Sequence, residues 1–527
     1  MTTTPLQYLS SRVSTLVPKS THLSDIPNPI SLLRSLDRQN WAFFSVAFFA
    51  WTWDAFDFFT VSLILPDLAD SFGRSRTDIT WGITLVLMFR TVGAVVFGIA
   101  SDRWGRRWPF VVNNGLFVVL ELATGFCQTY PQFLACRALF GIAMGGLYGN
   151  AAATALEDLP PVARGLMSGL LQQGYAFGYL LATAFSRALV ETTRYGWRPL
   201  FWFGACPPVL IIALRLLLPE TRTYQKQKME RELKQQQQQD EEDAEEESGQ
   251  GGERHGKNGV THVFWEQGKQ VIKDEWLLLT YMVLLMAGFN FMSHGSQDLY
   301  PVLLDTQFLF SRDQGTIIQV IANVGAMLGG MTIGFMSQFA GRRLSILVMC
   351  ALGGALLYPY TSTDIANQGW GRIAAAAFWE QFAVQGAWGV VPAHLMELSP
   401  AKFRTFVVGT SYQLGNLISS ASSTIESTIA ERFPLPAEPG SDGAMLEQRY
   451  EYGKVICIFM GCVYAYMVVL TLLGPEYLGR RFDRRDSEAL EDNGVVFGED
   501  HGQGFEFVQD AHRERVKAGR KGGGMVS

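Results

Sequence analysis

Charge is what this chain has least of. Only 17% of its 527 residues are charged, where a soluble globular protein carries about a quarter. The charges crowd into the two ends and one central tract, and long stretches carry almost none. That distribution excludes an ordinary soluble domain and indicates a polytopic membrane protein. Cysteine is sparse as well. Cys127, Cys136, Cys206, Cys350, Cys457 and Cys462 lie in or beside apolar runs, without metal-type spacing. They read as small packing residues, not as disulfides or metal ligands. The sequence shows no nucleophile-plus-base arrangement and no phosphate loop, so neither an enzyme nor a bound cofactor or metal is expected. No basic cluster interleaved with aromatics points to nucleic acid. The first 35 residues are polar, unlike a cleavable signal peptide. There is no Asn-x-Ser/Thr sequon.

What is present is a series of apolar runs of helix length. They lie near 41–65, 80–100, 108–127, 131–153, 165–187 and 198–218, then near 276–298, 316–337, 343–361, 371–395, 405–425 and 454–474. Each has about 20 residues, enough to span the ~30 Å hydrocarbon core. The expected fold is an all-α membrane protein, twelve transmembrane helices in two six-helix bundles. The expected division is a tail at 1–38, bundles at 39–220 and 273–476 joined by a linker at 221–272, and a tail at 477–527. The linker holds Gln235 to Gln239 and the acidic block Asp240 to Glu247, and reads as a solvated tether. The short basic loops, Arg103 to Arg107, Arg164, Arg342-Arg343 and Lys402 to Arg404, follow spans 2, 4, 8 and 10. By the positive-inside rule that side is cytoplasmic, together with both termini and the linker. The loop between spans 11 and 12 is long, Pro-rich and acidic, and is expected outside.

The two halves repeat one another. Span 2 ends Gly98-Ile-Ala-Ser-Asp102-Arg-Trp-Gly105-Arg106-Arg107, and span 8 ends Gly334-Phe-Met-Ser-Gln338-Phe-Ala-Gly341-Arg342-Arg343. Pro219-Glu220 after span 6 matches Pro475-Glu476 after span 12, and Glu157 with Arg164 is echoed by Glu397 with Arg404. Two homologous halves with a cavity between them follow from this. The Gly98 to Arg107 stretch resembles the loop 2–3 signature of the major facilitator superfamily. Arg137-x-x-x-Gly141-x-x-x-Gly145 resembles its span 4 signature, and Pro219-Glu220-Thr221 is typical of it too. The second-half copy departs, with Gln338 where an acid would sit.

A polar stripe marks span 7. On a helix, Asn290, Ser293, His294, Gln297 and Asp298 fall within one arc of roughly 140°. The rest of that helix is mostly Leu, Met, Phe, Val and Gly. Hydrocarbon cannot satisfy such a stripe, so it must face protein or water. Asn-x-x-Ser-His-x-Ser-Gln-Asp is similar to the signature of the fungal lactate/carboxylate–proton symporters, in the sialate–proton-symporter-like branch. Gln385-Gly-Ala-Trp-Gly-Val-Val-Pro392-Ala-His394-Leu-Met-Glu397 and Asp54-Ala-Phe-Asp57-Phe resemble the same family. Val302 stands where the family motif has Thr. The resemblance implies a plasma-membrane symporter that moves a small carboxylate with a proton, as a monomer in the bilayer.

Arg90, near the centre of span 2, suits a carboxylate, because its planar fork can bind both oxygens. It equally suits an ion pair with Asp54 or Asp57. The expected substrate contacts are Arg90, Asn290, Ser293, His294, Gln297 and Gln385. The expected proton-coupling groups are His294, Asp298, Asp54, Asp57, Glu121 and Arg137, with Glu121 and Arg137 as a pair. Gly98, Asp102, Gly105, Arg106, Arg107, Arg342 and Arg343 are expected to act on the conformational change rather than on substrate. Gln172, Gln173, Tyr175, Tyr179, Gln413 and Asn416 are further polar lining candidates, and Glu380 is buried by position without an assigned role. Alternatives are a facilitator of another small solute, such as a sugar or an aromatic acid, and a nutrient receptor that does not transport. Lactate, pyruvate and acetate are not separated from succinate and malate.

Overall fold

The structure is a computed structural model that describes residues 11–16, 27–190, 192–247, 268–436, 449–480 and 482. Most of both tails, the second half of the linker and the middle of the acidic loop between spans 11 and 12 lie outside the described residues. Twelve long helical spans are present. In the first half they are Arg38–Leu63, Arg76–Trp104, Arg107–Phe126, Tyr130–Gly145 continued by Leu147–Leu156, Pro161–Val190, and Arg198–Gly204 continued by Cys206–Leu217. In the second they are Trp276–Gln297, Arg312–Ala340, Arg342–Thr361, Trp370–Leu398, Arg404–Ser419 continued by Ser422–Ala430, and Tyr452–Leu473. Eight are long and apolar enough to cross a membrane by length and composition alone. Spans 1, 5, 10 and 11 make up the remainder, and each buries several polar side chains.

Local chemistry sets the helix ends. Spans 2 and 8 begin at Ser75 and Ser311, whose hydroxyls accept from Asp78 N and Gln314 N, while Asp78 and Gln314 reach back to the cap. Such a box satisfies two otherwise orphaned N–H groups, which starts each helix about a turn before its apolar run. Both helices have 29 residues and stop at a glycine, Gly105 at φ 98° and Gly341 at φ 96°. A side chain there would be strained, so the turn into the basic loop requires glycine in both halves. Glu220 accepts from Arg107 N at 3.0 Å, and Glu476 from Arg342 N and Arg343 N at 3.1 and 3.0 Å. The sequence repeat is therefore a repeat of caps and turns.

The linker departs from the expected tether. Arg222–Glu247 is a helix. Its first turn folds back on the first half: Thr223 N and Oγ1 donate to Asp158, and Tyr224 OH donates to Arg103 O at 3.0 Å. Buried hydrogen bonds at that end outweigh the solvation expected from its composition.

Within each half, span 1 packs on span 5, span 2 on span 4, span 8 on span 10 and span 9 on span 12. The halves meet where span 5 packs on spans 8 and 10, and span 2 on span 11. Lipid offers no hydrophobic drive between helices, so close backbone approach carries much of this contact. A Cβ on Gly169 would collide with Gly330 O, and one on Gly98 would fall 2.6 Å from Phe406 Cα. Gly169→Leu should therefore overpack the seam at a cost of about 1–3 kcal/mol. The measurement is thermal unfolding of the purified chain in detergent. The expected outcome is a fall of a few degrees in the midpoint, with Gly315→Leu, where a Cβ meets nothing within 4 Å, near the unaltered value.

Candidate functional site

The middle of the first half holds buried charge. Arg90 and Asp54 are 2% exposed, and their closest charged atoms, Arg90 Nη2 and Asp54 Oδ2, are 3.9 Å apart. Arg90 also donates to Met144 Sδ at 2.9 Å and lies 4.7 Å above the Phe58 ring. Its Nε and Asp54 Oδ1 have no hydrogen-bond partner among the described residues. The pair is thus loose, with donor and acceptor capacity left over. Arg137 and Glu121 pair at 3.5 Å, both buried, and Arg137 lies 4.4 Å over Phe140. Asp57 is wholly buried, and neither of its oxygens is hydrogen-bonded among the described residues. It interacts electrostatically with Glu121, Arg137 and Asp54. Three carboxyls thus face two guanidiniums.

In the second half, His294 Nδ1 lies 3.2 Å from Asp298 Oδ2, and the side chains are 24% and 33% exposed. Ser423 Oγ donates to the same Asp298 oxygen at 2.6 Å. Asn416 lies beside His294, and Arg90 acts on that imidazole electrostatically. Tyr175 of span 5 interacts with Arg90, Asp54 and Asp298, so it bridges the two charge groups. Two other residues of the stripe bond to helices through their amide N–H groups. Asn290 Nδ2 bonds Met286 O in its own helix at 2.8 Å. Gln297 Nε2 bonds Gln381 Oε1 at 2.8 Å, and Gln381 reaches Ser296 Oγ at 3.2 Å. Ser293 O accepts from Ser296 Oγ. Gln385 is half-buried, with its backbone oxygen against Gly330. The geometry brings Arg90, His294 and Asp298 together; it sends Asn290 and Gln297 into helix packing.

Beneath this group lies an aromatic floor. Tyr148 of span 4 and Tyr412 of span 11 stack across the halves at 3.9 Å, 20° from parallel. Trp51 packs edge-on to both, at 5.0 and 6.1 Å, and Trp388 meets Tyr412 at 6.0 Å. Tyr412 is eight residues, ~12 Å of helix, from the linker-side start of span 11. Phe59 packs on Tyr175 and Tyr179 at 5.1 and 4.8 Å.

The linker-side ends are locked by ions. Asp102 accepts from Thr405 N and Phe406 N of span 11 at 3.2 and 2.8 Å, and lies 3.0 Å from Arg106. Arg106 also makes a two-point bond to Glu157 at 2.7 and 3.2 Å. Glu157 then lies 3.9 Å from Arg404 of the other half. Arg342 grips Glu397 at two points, both 3.0 Å, and bonds Gln338 at 2.7 Å. Arg343 donates to Thr471 O, and Arg107 N to Glu220. Arg164 lies 3.6 Å over Phe482 and donates to Arg480 O. Burial pushes the Glu476 pKa up to about 7, against the backbone N–H groups that hold it down. His394 is buried beside Arg342 and Arg343.

Several residues here escape a reading of the sequence. Gln381 stands one helical turn before Gln385 on the same face, a signal that was available. Tyr148, Tyr412 and Trp51 look like core aromatics. Glu426 lies past the expected end of span 11. It is wholly buried and electrostatically coupled to Asp298.

The family profile described as sugar (and other) transporter matches residues 33–488. The chain is 41% identical over 453 residues, 86% of its length and 71% of the relative's, to a carboxylic acid transporter protein homolog of Saccharomyces cerevisiae. It is 25% identical to a probable 4-methylmuconolactone transporter of Cupriavidus pinatubonensis, over 72% of this chain and 81% of that one. Among solved structures, the proton:xylose symporter XylE bound to 6-bromo-6-deoxy-D-glucose has a TM-score of 0.65 at 17% identity, covering 86% of this chain and 99% of that one. The human organic anion transporter MFSD10 has a TM-score of 0.57 at 15% identity, covering 83% and 100%. With twelve helices, repeated caps and this match along most of its length, the chain belongs to the sugar (and other) transporter family and has the major facilitator fold.

Proposed function

We propose that this transporter moves small carboxylates together with a proton, by alternating access between its two halves. The observation that carries the reading is Arg90. It is a buried, loosely engaged guanidinium facing His294 across the seam, with the linker side locked and His294 and Asp298 accessible at the other. A charged Arg at mid-membrane is costly, and a carboxylate substrate adds the partner that its loose pairing with Asp54 leaves wanting. The name of the yeast relative supports an acid as cargo. In this reading the substrate carboxylate binds Arg90, with His294 and Tyr175 beside it. Asp54, Asp57 and Glu121 set three carboxyls against the guanidiniums of Arg90 and Arg137, the arrangement that takes up a proton as a substrate anion enters. Residues 39–220 and 273–476 rock against each other, in a plasma membrane with both tails cytoplasmic. The chain works as a monomer.

The aromatic floor favours a second reading, in which the acid is unsaturated or cyclic, as the name of the Cupriavidus relative suggests for that protein. Labelled lactate, succinate and benzoate, taken up at about pH 5 and pH 7 with and without an uncoupler, test both readings. Faster uptake at pH 5 that the uncoupler removes is the expected outcome. Equal uptake at both pH values, unaffected by the uncoupler, rules out proton coupling, and benzoate as the best substrate favours the second reading.

Arg90→Ala should lower uptake by at least about tenfold at normal membrane abundance, and Arg90→Lys should not restore it, since ammonium lacks the planar fork. Uptake by Arg90→Lys near the unaltered level would remove Arg90 from the substrate site. His294→Ala and Asp298→Ala should each lower uptake without removing the chain from the membrane. Surface labelling alongside uptake checks this, and two fully active variants would dismiss that pair.

A further inference from the structure

The His294–Asp298 pair has a third neighbour. Span 11 breaks after Ser419 and resumes as Ser422–Ala430, on the side away from the linker. The first turn of that segment is tied to the site, because Ser423 Oγ donates to Asp298 Oδ2 at 2.6 Å. One turn on, at i+3 from Ser423, stands Glu426. It is 0% exposed, and neither carboxyl oxygen has a hydrogen-bond partner among the described residues. Ser422 Oγ, four residues before it, is likewise buried and without a partner there.

The groups around Glu426 offer it no cation. From span 7 comes Asp298, which interacts with it electrostatically, and behind Asp298 stands His294. From span 9 comes Tyr360, which feels the charge of Glu426 and whose hydroxyl is committed to Ser296 O at 2.6 Å. Span 12 also packs on this segment. Its Lys454 is half-exposed, paired with Glu451 at 3.7 Å and 4.5 Å over Phe433. Its Tyr464 donates to Glu380 at 2.6 Å. No Lys or Arg lies within ion-pair distance of Glu426 among the described residues. Asp298, paired with His294, thus interacts with a second carboxyl, Glu426, that has no hydrogen-bond partner among the described residues. Two interacting carboxylates, one of them wholly buried, cannot both be ionised cheaply, and such a pair takes up one proton between them.

We propose that Glu426 is the proton-carrying group of the second half, in exchange with Asp298. A hydronium ion at the side away from the linker gives its proton to the carboxylate, leaving a carboxylic acid and a water. With the site open to the other side, the acid returns the proton to water. Serine hydroxyls at 422 and 423 supply hydrogen bonds on the way. The proposal rests on the proton-coupled reading above.

The test uses the full chain in proteoliposomes, with whichever labelled acid gave the higher uptake. One arm imposes a pH gradient of one unit, acid outside, which drives up to about tenfold accumulation for one proton per substrate. The other measures counterflow of the same acid at equal pH, which needs no net proton movement. Glu426→Gln should keep counterflow within about twofold of the unaltered chain and let accumulation fall to about 1, with Glu426→Asp restoring accumulation. Gradient-driven accumulation by Glu426→Gln equal to that of the unaltered chain overturns the proposal. So does loss of counterflow in Glu426→Gln that Glu426→Asp does not repair, because the side chain then serves packing. Absence of gradient-driven accumulation in the unaltered chain overturns proton coupling itself, and this proposal with it.

Discussion

A charge at the middle of a bilayer has no water to turn to, and every ionised side chain in this fold must be answered by another group of the protein. That constraint organises the molecule. It brings Glu157 and Glu397 into two-point bonds with Arg106 and Arg342, and seats Asp102 on the backbone N–H groups that open span 11. Where the answer is complete, the structure is locked. Where it is incomplete, at Arg90, Asp57 and Glu426, a site has capacity left for something arriving from outside.

The two kinds of place are spatially separated. The two-point ion pairs and the Asp102 bonds across the seam sit at the linker-side ends. Incomplete pairing sits at mid-height and toward the opposite end. Between them lies the Tyr148–Tyr412 stack, which fills the seam with aromatic area. Ion pairs, aromatic area and unpartnered polar atoms thus fall in successive layers, which the proposed function reads as locking, occlusion and recognition.

Much of this was legible in the residues. Apolar runs gave the helices, and the Gly105 and Gly341 repeat gave the two halves, because a glycine at a sharp turn leaves an unambiguous trace in sequence. His294 and Asp298, one helical turn apart, could be paired by spacing. What spacing could not show was which helix would meet the other side of a residue. Asn290 and Gln297 share the stripe with His294, yet one bonds its own helix and the other bonds Gln381. Glu157 and Glu397 stand at matching places, yet Glu157 also lies 3.9 Å from Arg404 of the other half. Composition alone did not show that Arg222–Glu247 is helical. Partner choice is a property of three-dimensional packing, and a single chain read in order carries it weakly.

The imperfect repeat at Gln338 has a mechanical meaning. In the first half, Asp102 reaches across the seam to the start of span 11, while Gln338 at the matching place accepts from Arg342 within its own half. Next to Gln338 the seam is held by bare backbone, with Gly165 and Gly169 against Gly334 and Gly330. The two flanks of the lock are therefore unlike: one is a bolt, the other a bearing. A bolt must be drawn before a door moves, whereas a bearing can stay in contact throughout. In the proposed swing of one half on the other, spans 5 and 8 therefore form the hinge side and spans 2 and 11 the side that parts first.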